Sequence, residues 1–210
     1  MKVNRLILPA LLAVVAYMYF QHYDRVFGDK GRLAVTNEGS AVVLSWSTEV
    51  DVPMALRFEE AFDRYRDQTG TFIIDLDSPG GALREGRFVI EEIERMKDTH
   101  EIITRVRSSS VCLSMCVPIY LSGEKRIAGP ASRWMFHEPR AYDYFSGEEV
   151  GESESEIRAA GARFFDRYFV NSEMNPVWRD RLAQEWVGRD VWKTGRQLFI
   201  ERSNIVQELQ

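Results

Sequence analysis

Three residue types in this chain could together carry out nucleophilic catalysis. Ser114 is a hydroxyl flanked by apolar and sulfur-bearing residues, in the stretch 111–123 that reads V-C-L-S-M-C-V-P-I-Y-L-S-G. His137 is one of only three histidines. A serine hydroxyl becomes a good nucleophile when an imidazole takes its proton, and a carboxylate that fixes the imidazole tautomer completes such a site. Asp180 and Asp190 both follow His137 along the chain and are candidates for that carboxylate.

The position of Ser114 suits this chemistry, because the pattern predicts a junction between a strand and a helix there. A strand at residues 102–106 precedes it, residues 108–110 break the apolar run, and an apolar segment long enough for two helical turns follows. Free N–H groups and the positive end of a helix dipole favour an oxyanion at such a junction. The alternative is that Ser114 only caps the helix, since serine is a preferred N-cap residue.

The segments that would position these residues alternate between strand and helix patterns. Strands are predicted at residues 41–45, 71–76, 102–106, 125–128 and 133–136, and helices at residues 53–68, 83–96 and 175–186, with one more helix ending near residue 171. This alternation predicts one α/β domain with a mostly parallel core sheet, closed by residues 188–205. Ligands of such sheets bind beyond the carboxyl ends of the strands.

A tight turn follows the predicted strand at residues 71–76. It reads Asp77-Ser78-Pro79-Gly80-Gly81, in which proline fixes one φ and the two glycines allow the backbone to approach a ligand closely. Because this turn and Ser114 both follow strands, the two are expected at the same edge of the sheet.

Composition limits the classes of partner. The 210 residues include 27 basic and 32 acidic side chains, for a formal net charge of -5. A nucleic-acid partner is not expected, because phosphate-binding surfaces normally show a basic excess.

The N-terminus carries a targeting signal. Lys2 and Arg5 precede an apolar run at residues 6–20, which as a helix spans only about 22 Å of a hydrocarbon core about 30 Å thick. A cleaved signal peptide is therefore an alternative. Aromatic residues that suit an interfacial belt, and the lack of a small-residue cleavage site, favour an uncleaved anchor. We predict an anchor at residues 1–23, a linker at 24–40 and a domain at 41–210, with the domain outside the cytoplasm.

The order of the motifs resembles the ClpP-like serine peptidases of the ClpP/crotonase superfamily, especially the small membrane-anchored or exported bacterial members. The matching positions are residues 77–81, Ser114-Met115, His137 and Asp190. The resemblance implies a ClpP/crotonase-like ββα superhelix preceded by one N-terminal transmembrane helix. It also implies a peptide or protein substrate, with no cofactor and no metal. The expected location is the bacterial inner membrane with the domain on the periplasmic side, and a homo-oligomer is one possible form of the protein.

The resemblance also implies roles for individual residues. Ser114 would be the nucleophile, His137 the general base and Asp190 the residue that orients His137. The backbone N–H groups of Gly81 and Met115 would form the oxyanion hole.

The sequence itself favours Asp190 over Asp180 as the third member. Asp180 lies opposite the apolar face of its predicted helix and is expected to be solvated. Asp190 follows a break between helices, and Val191 and Trp192 could exclude water from its carboxylate. The alternative is that Asp190 caps a helix starting near Trp192.

Cys112 and Cys116, the only cysteines, lie on either side of Ser114. They are interpreted either as two small buried residues or as a redox pair whose reversible bond distorts the N–H of Met115. Two other functions stay open: a catalytically silent binding module on the same scaffold, and a crotonase-type acyl-CoA enzyme.

Overall fold

The fold is organised around a mostly parallel sheet of six strands. The computed structural model describes residues 33–140 and 153–210. The strands are β1 (Ala34–Glu38), β2 (Ala41–Trp46), β3 (Thr71–Leu76), β4 (Glu101–Val106), β5 (Val111–Leu113), β6 (Lys125–Ala128), β7 (Arg133–Phe136), β8 (Val191–Thr194) and β9 (Glu208–Leu209). The helices are α1 (Met54–Tyr65), α2 (Leu83–Lys97), α3 (Cys116–Leu121), α4 (Glu154–Phe165), α5 (Pro176–Glu185) and α6 (Gly195–Ile200).

The strands form two sheets. The larger has the order β1-β2-β3-β4-β6-β9, in which β1 is antiparallel to β2 and the other neighbours are parallel. The smaller has the order β5-β7-β8, with β5 and β7 parallel and β8 antiparallel to β7. The prediction of an α/β domain with a mostly parallel core sheet is confirmed.

Burial of the strands and of the helix faces explains why these segments form. β2 and β3 are almost wholly buried along their length, as expected for parallel strands covered on both faces. α1 buries Phe58 and Phe62, and α2 buries Val89 and Ile93. Their apolar residues recur every three or four positions and contact the same core.

β1 corrects the predicted domain boundary, because it lies within the segment assigned to a linker at residues 24–40. The strand is mostly exposed and therefore lacks the apolar pattern from which the other strands were predicted. It pairs with β2 through five residues. Glu38 also accepts hydrogen bonds from Arg105 (3.0 and 3.1 Å), whose guanidinium is buried and contacts Asp75 as well.

Two other differences concern the elements around the predicted site. The apolar stretch before Ser114 is the short strand β5, and the following helix α3 begins at Cys116. The segment after Asp190 is strand β8 rather than a helix, and the next helix, α6, is capped by Thr194. The alternative in which Asp190 caps a helix is therefore wrong.

The predicted anchor at residues 1–23 lies outside the described residues. Within residues 33–140 and 153–210, no helix has the length and the apolar character that a membrane span requires.

Candidate active site

Ser114 lies in a sharp turn between β5 and α3. Its φ is 52°, in the left-handed region that non-glycine residues rarely adopt, and its N–H donates to the carbonyl oxygen of Met135 in β7 (2.9 Å). A serine in this conformation costs about 1–2 kcal/mol of free energy. Strained turns between a strand and a helix hold the nucleophilic serine in α/β-hydrolases. The backbone here thus presents the Ser114 hydroxyl at the end of the strand.

The Ser114 hydroxyl contacts His137 and does not cap the helix. The distance between Ser114 Oγ and His137 Nε2 is 2.7 Å. The cap position of α3 is Met115, which makes no side-chain capping hydrogen bond. The capping alternative for Ser114 therefore does not describe this structure, whereas the contact with an imidazole nitrogen is the one that a general base requires.

The small sheet brings the three predicted residues to one end. Ser114 directly follows β5 and His137 directly follows β7, and these two strands are parallel. β8 runs antiparallel to β7, so its first residue, Val191, pairs with Phe136. Continued by one residue, this register puts Asp190 opposite His137.

Asp190 is exposed to solvent, although the sequence predicted a carboxylate shielded by its neighbours. Among the described residues, no hydrogen bond joins Asp190 to His137. The shielding fails because Val191 points into the core while Trp192 remains 46% exposed. The loop before Asp190 is instead fixed by Glu138, whose carboxylate accepts a hydrogen bond from the N–H of Gly188 (2.8 Å).

Burial lowers the pKa of His137 below its ordinary value of 6.5. The charge of Asp190 acts in the opposite direction and raises this pKa, and the positive charge of Arg140 lowers it further. The imidazole is therefore neutral at neutral pH, in the form that can accept a proton from Ser114. Glu138 and Arg140 were not predicted as contributors, because their effects depend on a loop that only the fold brings close.

The turn at residues 77–81 is fixed against β5 by several hydrogen bonds. The N–H of Val111 donates to Asp77 Oδ1 (2.9 Å). The backbone of Ser78 bonds Val111 and Leu113, at 2.8 and 3.0 Å. The turn and the nucleophile are thus parts of one rigid unit.

Gly80 and Gly81 both have positive φ, 90° and 149°. A Cβ on Gly80 would lie 2.7 Å from Ser114 Cβ, and one on Gly81 would lie 2.4 Å from the carbonyl oxygen of Val50. Among the hydrogen bonds of the described residues, none uses the N–H of Gly81 or of Met115 as donor. Two free N–H groups beside the nucleophile are what an oxyanion hole needs, and the assignment of this role to them stays a prediction.

Cys112 and Cys116 form a disulfide with a Cα–Cα distance of 5.2 Å, and both are fully buried. The bond encloses Ser114 and Met115 in a loop of five residues. By loop-closure entropy a loop of this size stabilises the fold by about 2 kcal/mol. The interpretation as two separate buried thiols does not describe the structure. Reversibility of the bond stays a prediction, which alkylation of the protein followed by mass spectrometry would check.

The activity of the site is expected to depend on the neutral form of His137. Because burial lowers its pKa, kcat/KM should rise with pH and be half-maximal below pH 6.5. The unfolded chain binds this proton more tightly than the folded one, so the same group should destabilise the fold as pH falls below about 6.5. Measurement of kcat/KM between about pH 4 and 9 tests this, and a half-maximal value above pH 6.5 would contradict it.

Replacement of Asp190 by asparagine is expected to lower kcat/KM about tenfold and to move the acidic limb to lower pH. The charge of Asp190 raises the pKa of His137 without a hydrogen bond. The effect should therefore be smaller than the roughly 10⁴-fold loss of rate that follows when a hydrogen-bonded triad aspartate is replaced by asparagine. The matched control is Asp180→Asn, because Asp180 is exposed and pairs with Arg179 (2.9 Å). Equal effects of the two substitutions would leave Ser114 and His137 as a dyad.

No protein-family model and no curated protein matches this chain. Among solved structures, it is similar to a ClpP1 variant from Listeria monocytogenes, with a TM-score of 0.59 and 17% identity over 80% of this chain and 90% of that chain. It is also similar to a variant of 1510-N, described as a membrane-bound stomatin-specific protease, with a TM-score of 0.65 and 15% identity over 83% of this chain and 81% of that chain. The chain therefore has the ClpP-like serine peptidase fold.

Proposed function

We propose that this chain is a serine peptidase that hydrolyses peptide bonds with Ser114 as nucleophile and His137 as general base. The observation that carries the proposal is the distance of 2.7 Å between Ser114 Oγ and His137 Nε2, made by a serine whose φ is 52°. The fold supports the proposal because one similar structure is a ClpP1 variant and the other is described as a protease, although fold alone does not determine function.

The reaction would follow the acyl-enzyme route. Ser114 Oγ attacks the scissile carbonyl carbon while His137 Nε2 takes the hydroxyl proton, and the N–H groups of Gly81 and Met115 donate to the oxyanion. His137 then gives the proton to the leaving amine, and the C–N bond breaks. Water, activated by the same imidazole, hydrolyses the ester. The charge of Asp190 stabilises the imidazolium formed in each half of the reaction.

A catalytically silent binding module on the same scaffold is the second candidate. It is favoured by the exposed carboxylate of Asp190, which makes no hydrogen bond to His137 within the described residues. Labelling with a fluorophosphonate probe separates the two candidates, since the probe reacts only with an activated serine hydroxyl. We expect one covalent adduct on Ser114 and none in a Ser114→Ala variant. An intact chain without adduct, at a probe concentration that labels a known serine hydrolase, would favour the binding module.

We also propose that residues 1–23 anchor the chain in a bacterial inner membrane, with the domain on the periplasmic side. The order of basic residues and apolar run supports this orientation. The buried disulfide supports it too, because disulfides persist in oxidising compartments. Assembly into a homo-oligomer is proposed from the resemblance alone, and light scattering of the purified chain would measure it.

The orientation leads to a prediction about fusions. A reporter that is active only in the cytoplasm should be silent when it is fused after Gln210, and one that is active only in the periplasm should give a signal. The matched control is the same pair of fusions on a chain lacking residues 1–23, in which the cytoplasmic reporter should become active. A cytoplasmic signal from the full chain would refute the orientation.

A further inference from the structure

A cleft of about 650 Å³ opens beside the candidate active site. One wall is the start of α2, where Leu83 lies two residues after Gly81. The lining also includes Pro139, two residues after His137, and Phe164 and Tyr168, whose rings pack together. Two lining residues thus follow closely along the chain from the turn at residues 77–81 and from His137, which places the cleft next to the candidate site. Its volume is in the range of sites that enclose a small ligand or a few side chains.

The lining of this cleft is strongly basic in a protein whose formal net charge is -5. Among the described residues that line it, the charged ones are Arg84, Arg87, Arg163 and Arg167, with one carboxylate, that of Asp166. Arg87 has a partner in Glu91, at 3.3 Å. Among the described residues, no ion pair with a carboxylate is formed by Arg84, Arg163 or Arg167.

The positive charges of these arginines repel one another. Arg163 and Arg167 are four residues apart on one continuous helical segment, a spacing at which like charges destabilise a helix by a few tenths of a kcal/mol. Arg84 and Arg87 are three residues apart on α2. Their guanidinium carbons lie 5.7 and 5.1 Å from the centre of the Phe88 ring. A ligand carboxylate would remove this repulsion and accept paired hydrogen bonds from guanidinium groups.

We propose that this cleft binds an acidic side chain of the peptide substrate close to the scissile bond. The inference rests on the proposed function, because it takes the substrate to be a peptide held at Ser114. The rings of Phe164 and Tyr168 would contact the methylene groups of a glutamate, while the arginines bind its carboxylate. The chain is thus a peptidase that prefers acidic residues near the cleavage point.

Binding tests the proposal without requiring hydrolysis. The full-length Ser114→Ala protein is titrated into decapeptides that carry a neutral fluorophore and differ only in one position, glutamate or glutamine. We expect the glutamate peptide to bind about tenfold more tightly at low salt, and the difference to shrink at high salt. The difference should vanish in a variant that also carries Arg163→Gln and Arg167→Gln.

The matched control carries Arg158→Gln and Arg181→Gln in place of those two changes. Both residues are exposed arginines on α4 and α5 that do not line the cleft, so the net charge changes equally while the preference for glutamate should remain. All of these replacements are at exposed positions, and circular dichroism would verify that each variant is folded. A preference lost equally in both variants would overturn the proposal, since it would then reflect overall charge.

Hydrolysis of the same peptides by the wild-type chain separates this inference from the proposed function. Cleavage with kcat/KM about tenfold higher for glutamate supports both. Cleavage at equal rates of the glutamate and glutamine peptides overturns the inference, while the proposed peptidase function stands. Arginine-dependent binding of the glutamate peptide without cleavage would support an acidic ligand for this cleft and contradict the proposed peptidase activity. Arginine-dependent binding of phosphatidylglycerol vesicles, with no preference between the peptides, overturns the inference in favour of a lipid surface.

Discussion

Replacement of Ser114 by alanine should lower kcat/KM for peptide hydrolysis by roughly 10⁴- to 10⁶-fold, to the residual rate that binding and an oxyanion hole supply alone. The hydroxyl oxygen would attack the substrate, and its one hydrogen bond among the described residues is to the imidazole nitrogen that would take its proton (2.7 Å). Activity would be measured with a quenched fluorescent peptide and purified full-length protein.

The same substitution should leave the fold nearly unchanged. The backbone at position 114 keeps its bond to Met135, and one lost side-chain hydrogen bond costs about 1 kcal/mol. Ser122→Ala is the matched control, because Ser122 Oγ also makes one hydrogen bond in this stretch, to the carbonyl oxygen of Ile119 (2.6 Å). That variant should lose a similar amount of stability and keep its activity. If Ser114→Ala retained wild-type turnover, the triad would be refuted.

Replacement of Gly80 by alanine should lower kcat/KM at least about 100-fold while the chain still folds. The new Cβ would lie 2.5 Å from the carbonyl oxygen of Leu113 and 3.0 Å from the N–H nitrogen of Met115. These are backbone atoms on either side of Ser114, so the turn and the nucleophile have to move apart. A displacement of about 1 Å between reacting groups can cost two orders of magnitude in rate.

Gly39→Ala is the control for this experiment. Gly39 also has a positive φ, +63°, but a Cβ there would meet nothing within 4 Å. It should therefore show only the cost of a left-handed alanine, about 1 kcal/mol of stability, and keep full activity. Unchanged activity in folded Gly80→Ala would mean that the turn at residues 77–81 is not part of the active site.

The parts of this fold that sequence could predict are those in which local pattern and burial agree. β3, β6 and β7 have the predicted bounds, because a turn ends β3 and the Gly129-Pro130 turn separates β6 from β7. β1 was missed because its side chains are mostly exposed. What fixes it is its pairing with β2 and the contact between Glu38 and Arg105, 67 residues apart. No local pattern contains that information.

The candidate site divides in the same way. The sequence could predict that Ser114 and His137 follow strands, and the structure brings the two together. The environment of Asp190 could not be predicted, because it depends on β8, a strand that pairs with β7 across more than fifty residues. Residue types suggested a helix and a buried carboxylate there. The pairing instead exposes Asp190 and leaves its charge as its only described influence on His137.

The small sheet β5-β7-β8 also has a consequence for how the protein loses activity. All three predicted catalytic residues flank strands of this sheet, and its β5 edge is joined to the turn after β3 by the pairing of Ser78 with Cys112 and by a few hydrogen bonds. A fluctuation that opens the small sheet would therefore separate all three residues at once, while the six-stranded sheet could persist. In hydrogen exchange, the amides of Leu113 and Ser114, bonded to Ser78 and Met135, should then lose protection together, in step with activity and before the amides of β2 and β3.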